Sequence, residues 1–453
     1  MRPPRTDRGR LLLILALATA VTVFTATVPL LRDWFDLRVY YGTVNTWIHD
    51  GGRVYDYRVP GTPYGFTYPP FAAVAMLPMA LVGLHTAIAA ALLLNLTALT
   101  VAARVLTGPG WRRYGWYGVA LAACALALFE PLRDTFSFGQ VNLLLLALVL
   151  TDCLLLSTGR GRWAGIGIGL AAAIKLTPAL FIGLLLVAGR RRAAAVATGV
   201  AVGATAFAAL VAPDASRFYW TRALWDTNRV GRLDYVSNQS LQGVLARLGV
   251  ESRPVWAVLV VLVLCGWAWR SRRAVAAGDW QAAFALTGLT ACLVSPITWV
   301  HHLVWLLPSF AVLIRAGHPR VAGALYAVLC TSVVWLWFDD ASGVDGFLGS
   351  NLYTWITLGL LVWLPTGHFP DGRRPAAHST SATVAPPSTA APAMRAASDQ
   401  PGPSSTTAAA ATGATTSGPG RGRAGARSAS SEPTGSTRPA AANPQSSSSR
   451  ASS

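Results

Sequence analysis

The chain has 453 residues, 53% of them hydrophobic and only 12% charged, a balance that a soluble globular protein of this size does not carry. Its net charge of +18 would suit nucleic acid, yet the basic residues come as short clusters between long apolar runs. That is the pattern of a multi-pass membrane protein with basic cytoplasmic loops, and it excludes a nucleic-acid partner from the expectation. Cys124, Cys153, Cys265, Cys292 and Cys330 all fall within apolar stretches at no metal-ligand spacing. They read as small apolar residues, with neither a disulfide framework nor a metal site expected.

The first apolar run, 11–31, is long enough to cross a bilayer at about 1.5 Å per residue. Arg2, Arg5, Arg8 and Arg10 before it set the amino end in the cytoplasm. A cleaved signal peptide is the alternative reading of this segment, and it too leaves the following residues outside. The outer stretch 32–83 opens on Asp33-Trp34-Phe35-Asp36-Leu37-Arg38-Val39-Tyr40-Tyr41, whose mixed character suits a helix lying along the interface. The proline-rich piece at 66–82 suits a re-entrant or interfacial helix, because a full crossing there would leave Arg112 and Arg113 outside.

Further spans are expected at 84–106, 115–131, 139–157, 193–212, 254–270, 280–298, 302–315, 320–337 and 351–365. Arginine clusters at Arg104/Arg112/Arg113, Arg160/Arg162, Arg190/Arg191/Arg192, Arg270/Arg272/Arg273 and Arg315/Arg320 mark the cytoplasmic returns. Arginines flank the interval 163–188 on both sides, so it needs an even number of crossings. Two short helices broken at Lys175-Leu176-Thr177-Pro178 satisfy that parity. The expected fold class is therefore an all-α polytopic membrane protein with about twelve transmembrane helices and both termini cytoplasmic. Its body ends near residue 365. Residues 366–453 are rich in Ser, Thr, Ala, Pro and Gly with eight arginines against three acids, which predicts a disordered basic cytoplasmic tail.

With this topology the polar residues that stand out gather on one side, in outer loops at 32–83, 131–138, 213–253 and 338–350. Asp36 emerges at the membrane-water boundary, where a carboxylate touches water and lipid headgroups together. Lys175 is the only lysine among 37 basic residues, and an unpaired ammonium in an apolar segment costs several kcal/mol. It needs a polar cavity, an anion, or a buried acid such as Asp134. His301 and His302 form a pair without a third ligand, which makes a zinc site weak. Asp339, Asp340 and Asp345 read as solvated loop acids.

The ordered set Asp36-Leu37-Arg38-Val39-Tyr40, Thr67-Tyr68-Pro69-Pro70, Phe138-Gly139-Gln140-Val141-Asn142, Lys175-Leu176-Thr177-Pro178, Asn238-Gln239-Ser240 and Ser295-Pro296-Ile297-Thr298-Trp299-Val300-His301-His302 resembles glycosyltransferase family 87. These are membrane mannosyltransferases of the C-type (GT-C) superfamily, and the resemblance covers about residues 10–365. It implies a GT-C-like fold, a polyprenyl-phosphate-mannose donor, and a lipid or glycolipid acceptor at the outer face of the cell membrane. It further implies inverting transfer with Asp36 as the catalytic carboxylate. Substrate-binding roles fall on Arg38, Tyr68, Gln140, Asn142, Lys175, Asn238, Gln239, His301 and His302.

The chemistry agrees with that implication. Moving a sugar from a lipid phosphate to a hydroxyl needs a base for the acceptor and cations for the leaving phosphate. A phosphate leaving group needs no general acid, so one carboxylate suffices, and a divalent metal is compatible with this chemistry but no cofactor is required. A glucose or arabinose donor fits the same pattern. A transporter or flippase also fits the many spans, but such proteins show repeated halves and midplane sites, whereas here no repeat is evident and the polar residues collect at one face.

The arginine pattern generates a direct test. In a background without the five native cysteines, Asp50→Cys and Val230→Cys should label from outside with an impermeant thiol reagent, while Arg160→Cys and Arg272→Cys should not. Reversed labelling would put the loops bearing Asp36 in the cytoplasm.

Overall fold

A computed structural model describes residues 6–27, 33–108 and 115–367, and the expected tail lies outside these apart from residues 366 and 367. Among the described residues the only β pairing is an isolated bridge between Arg58 and Gly65. All else is helix, turn or loop. In chain order the first helices are α1 (Asp7–Thr27), α2 (Phe35–Ile48), α3 (Pro70–Ala75), α4 (Leu84–Thr107), α5 (Gly115–Leu128) and α6 (Glu130–Phe138). Then come α7 (Asn142–Ser157), α8 (Ile166–Ile174), α9 (Leu180–Val187), α10 (Arg191–Val211), α11 (Pro213–Thr221) and α12 (Leu241–Arg247). The last are α13 (Arg253–Ala276), α14 (Trp280–Val294), α15 (Leu307–Arg315), α16 (Pro319–Cys330), α17 (Gly343–Gly349) and α18 (Leu352–Trp363).

Four of these, α1, α4, α10 and α13, are singly long and apolar enough to cross a bilayer. Their outer surfaces carry the side chains that water would reject: Leu93 and Leu96 of α4, Leu210 of α10, and Val258 and Leu262 of α13 are all exposed. The remaining apolar helices are shorter. Several pack tightly round a shared core, with α14 buried along most of its length. An all-α protein with such apolar surfaces is a membrane protein.

Two expectations change in detail. The stretch 131–138 is helix rather than loop, because Pro131 sits at the start of a new helix, and α6 leaves α5 at a bend of 75°. The 213–253 and 338–350 stretches are likewise partly helical, holding α11, α12 and α17. By contrast the break inside 163–188 falls where proline and parity put it: α8 stops at Lys175, a 3-10 turn spans Thr177–Ala179, and α9 resumes.

Small residues let these helices approach closely. On α4 the buried positions are Ala87, Ala91, Asn95, Ala98 and Ala102, a stripe at helical spacing that faces α7. Gly169 of α8 has Ala197 O only 2.5 Å from where a Cβ would stand. Any larger residue there would push α8 off α10 and move Lys175 at its end.

Above the main core lies a second one. Leu37, Tyr40 and Val44 of α2 pack with Tyr55, Phe66, Ala72 of α3, and Ala215 and Tyr219 of α11. The stretch 33–83 is thus a small folded cap, and its apolar floor sets the position of Asp36.

Candidate active site

Asp36 occupies the first turn of α2, where the helix dipole favours a negative charge. Asp33 and Trp34 take left-handed backbone (φ 46° and 55°), and the Trp34 N–H donates to Ser137 O at 2.9 Å, tying the start of α2 to the end of α6. Gly139 completes this joint. Its φ of +70° ends α6, and a Cβ there would lie 2.6 Å from the Leu37 Cβ. Only glycine allows both the turn and the contact.

The next residue meets the carboxylate. Gln140 Nε2 donates to Asp36 Oδ2 at 2.8 Å, and Gln140 Oε1 accepts from the Tyr68 hydroxyl at 2.9 Å. Tyr68 in turn accepts from the Tyr40 hydroxyl at 3.0 Å and from Lys175 Nζ at 3.4 Å. Lys175 Nζ also donates to Asn142 Oδ1 at 3.1 Å, lies 2.7 Å from His302 Nε2, and sits 5.0 Å from the centroid of the Tyr68 ring. From the lysine through the tyrosine and the amide to the carboxylate, every donor points the same way, so each bond polarises the next. No carboxylate lies within ion-pair distance of Lys175 among the described residues, so its pairing with Asp134 is not made.

His302 is oriented from behind. Its Nδ1 accepts from the Trp299 backbone N–H at 3.1 Å, so the neutral ring carries its proton on Nε2, facing Lys175. The Nζ–Nε2 contact is itself a hydrogen bond, and an anion entering beside it would take donors from both side chains. A small cavity opens there, lined by Asn142, Lys175, Thr177, Cys292, Thr298 and His302.

Burial of the Asp36 carboxyl pushes it up to about 6, against the Gln140 hydrogen bond and the Lys175 charge, which both lower it. It is still mainly ionised at neutral pH, and it is a stronger proton acceptor than a solvated aspartate.

The other sequence candidates sort themselves by geometry. Arg38 is two residues beyond Asp36, about 200° round the helix. It pairs with Asp33 at 2.8 Å on the exposed side, away from Lys175. His301 is buried with its ring against Phe138 at 5.1 Å, and its carbonyl accepts from Thr135 Oγ1 and Asn142 Nδ2. Asn238 is wholly engaged with backbone, and Gln239 likewise except that its Oε1 also accepts from Thr354 Oγ1. Asn238 accepts from Thr298 N at 2.9 Å and donates to Leu233 O and Pro296 O. Gln239 donates to Val236 O and Ser350 O and accepts from Thr354 N.

These two residues clip the Ser295–Trp299 segment in place and so hold the turn that presents His302. Arg247 locks the same region by reaching Asn351 Oδ1 and the carbonyls of Tyr235 and Asn238. Neither Arg247 nor Tyr40 is among the site residues expected from the sequence, although Tyr40 closes the motif that begins at Asp36. For Tyr40 the signal was there: it stands at i+4 from Asp36, hence on the same helix face.

Comparison with known proteins follows the same residues. The family model of glycosyltransferase family 87 matches residues 66–296, a span that contains Tyr68, Gln140, Asn142 and Lys175 and stops short of Asp36 and His302. A polyprenol-phosphate-mannose-dependent alpha-(1-2)-phosphatidylinositol mannoside mannosyltransferase of Mycobacterium tuberculosis is 34% identical over 319 residues, covering 67% of this chain and 72% of the relative. The protein of that name in Mycolicibacterium smegmatis is 31% identical over 366 residues, 76% of this chain and 75% of its own. A Mycobacterium tuberculosis phosphatidylinositol pentamannoside mannosyltransferase of the same dependence is 33% identical over 333 residues, 71% and 76% of the two chains. No solved structure matches. With the family model spanning half the chain and these relatives spanning more than two thirds of it, the chain belongs to glycosyltransferase family 87.

Proposed function

We propose that the chain transfers mannose, with inversion, from polyprenyl-phosphate-mannose to a hydroxyl of a phosphatidylinositol mannoside or related glycolipid at the outer face of the cell membrane. The observation that carries this reading is the polarised chain of hydrogen bonds that joins one partly buried carboxylate to a donor-rich Lys175/His302 pair. It has one place for a proton and another for a phosphate.

In this reading Asp36 takes the proton from the acceptor hydroxyl as its oxygen bonds to the sugar C1. The C1–O bond to the lipid phosphate breaks on the opposite face, and the electron pair leaves on the phosphate oxygen. Lys175 and the His302 Nε2–H hold that phosphate, whose oxygens replace the contact between the two nitrogens. Tyr68 and Gln140 keep base and cation at a fixed separation. Asn142 aims Lys175, and Asn238 and Gln239 act at one remove by holding the segment before His302. The reading includes a C-type fold of about twelve membrane helices with the two broken ones meeting at Lys175, both termini in the cytoplasm, and residues 366–453 as a solvated basic tail.

Asp36→Asn tests the base. The amide keeps the shape but cannot accept the proton, so transfer should fall at least about a thousandfold. Because the buried carboxylate is held in its less favoured charged form at neutral pH, the melting temperature in detergent should hold or rise. Full activity in a folded Asn variant would move the base elsewhere.

The pH dependence follows from the raised carboxyl. Activity should be full above about pH 7 and decline as pH falls through about 6. Gln140→Leu removes a hydrogen bond that favours the ionised form, so the acidic limb of kcat/KM should move to higher pH. A limb that stays in place would mean that Asp36 is not the group being titrated.

Lys175 separates binding from scaffolding. Lys175→Ala should raise the KM for polyprenyl-phosphate-mannose about tenfold or more, with partial recovery in Lys175→Arg, whose planar fork fits a compact ammonium site poorly. Unchanged donor kinetics in a well-folded Ala variant would remove Lys175 from the phosphate site.

A further inference from the structure

One cluster of charge near the site stays outside this chain of hydrogen bonds. Arg58 comes from the first outer stretch and Arg229 from the 3-10 turn Thr227–Arg229 after α11, so two segments distant in sequence bring their guanidinium groups to one aromatic stack, that of Tyr55 and Phe218. Arg58 Nη1 donates to Tyr55 O at 3.1 Å and Tyr57 O at 3.2 Å, which fixes its direction without cancelling its charge. Arg229 lies over the Phe218 ring at 5.3 Å, and its Nε is buried with no acceptor.

Neither arginine has a carboxylate within ion-pair distance among the described residues. Asp226 is the acid nearest Arg229, but its Oδ1 is taken by the Asn228 N–H at 3.2 Å. Arg229 is held below its ordinary value, first by burial and then by the neighbouring Arg58 charge. Apart from Asp226, whose charge acts on Arg229 from beyond ion-pair distance, no described carboxylate pairs with the exposed Arg58 or the half-buried Arg229, so an anion reaching both would meet open donors.

The floor beneath them leads to the active site. The Tyr55 ring packs on Phe218 at 5.3 Å and on Tyr219 at 6.1 Å, while its hydroxyl donates to Tyr68 O at 2.8 Å. One tyrosine thus underlies the arginine pair and buttresses the residue that joins Lys175 to Gln140. On the flanking segments Leu81 is 83%, Leu210 83% and Trp225 76% exposed. Such a fringe of bare apolar side chains beside arginines suits the lipid-water boundary, and it favours a phosphate borne on a lipid over one free in solution.

We infer that Arg58 and Arg229 form the subsite for the phosphodiester of an anionic glycolipid acceptor, gripping it with their planar donor forks while its sugar extends past Tyr55 and Tyr68 to Asp36. The inference rests on the proposed transfer to a glycolipid. It assigns the acceptor's charge to a place separate from Lys175, so the two phosphates of the reaction do not compete.

The test uses the full chain in detergent with phosphatidylinositol mannoside as acceptor and polyprenyl-phosphate-mannose as donor. The double variant Arg58→Gln/Arg229→Gln should raise the acceptor KM about tenfold or more, leaving kcat and the donor KM within about twofold. The double variant Arg58→Lys/Arg229→Lys, which keeps the charge, should recover much of the loss. Phosphatidylglycerol, which carries the phosphodiester without the mannosyl sugar, should compete with the acceptor only weakly in the parent protein, and inorganic phosphate should not compete.

A rise in donor KM instead would overturn the assignment by placing the donor phosphate there. Equal competition by phosphatidylglycerol would make the pair a general anionic-lipid contact, and competition by inorganic phosphate an ordinary anion site. A loss of melting temperature that the lysines do not restore would make it structural. Direct binding of phosphatidylinositol mannoside separates this inference from its parent: a parent chain that binds but does not transfer overturns only the proposed reaction, and binding indifferent to the glutamine variant overturns the arginine subsite.

Discussion

Keeping an ammonium and a carboxylate in one partly buried site without letting them join is the constraint on which the rest of this structure turns. In a medium poorer than water their attraction is strong, and a direct Lys175–Asp36 pair would quench both groups. The protein interposes Tyr68 and Gln140, each of which donates toward the carboxylate and accepts from the lysine side. The result is coupling without contact: the lysine charge still helps keep Asp36 ionised, while Lys175 faces His302 and the cavity beside it.

The fold serves that separation. Lys175 is carried by the break between α8 and α9, where proline frees the chain from helix and lets a side chain point from the end of an apolar segment. Gln140 and Asn142 come from the turn between α6 and α7, which places one on the carboxylate and the other on the lysine. Asp36 and Tyr68 come from the cap, whose own apolar core fixes them. Three separately stabilised pieces therefore meet at Tyr68, and a shift of any one breaks the relay. On the inference drawn above, Tyr55 extends the same arrangement outward, so that the residue steadying Tyr68 also underlies the acceptor's anchor.

Most of the helices were legible because a bilayer imposes length and composition. The spans at 84–106 and 193–212 meet α4 and α10 within two residues, and arginine parity together with Pro178 anticipated the break at Lys175. What escaped was backbone that is neither span nor loop. The 131–138 stretch follows Glu130, carries Arg133 and Asp134 and reads as polar, yet it folds as α6, whose first residue Glu130 is buried with its carboxylate accepting from Tyr353 and Trp335.

Among the site residues, a rare residue type or a motif pointed to Asp36, Tyr68, Gln140, Asn142, Lys175 and His302, and the structure brings these together. Arg38, Asn238 and Gln239 share those motifs but face elsewhere or serve the backbone. A motif records that a residue matters to the local fold without saying whether its polar atoms are free for a ligand. Only the partner of each atom decides that, and partners distant in sequence, such as Thr298 for Asn238, are not written in one chain read alone.

The most direct measurement is the anomeric configuration of the product. Purified protein would be given polyprenyl-phosphate-mannose labelled with carbon-13 at C1 and a phosphatidylinositol mannoside acceptor, and the one-bond carbon-proton coupling at the new linkage recorded. A single carboxylate acting as base, with the phosphate held on the opposite face by Lys175 and His302, predicts a product whose anomeric configuration is opposite to the donor's. A product that keeps the donor's configuration would require a covalent sugar intermediate and two displacements, and would contradict the assignment of Asp36 as the base.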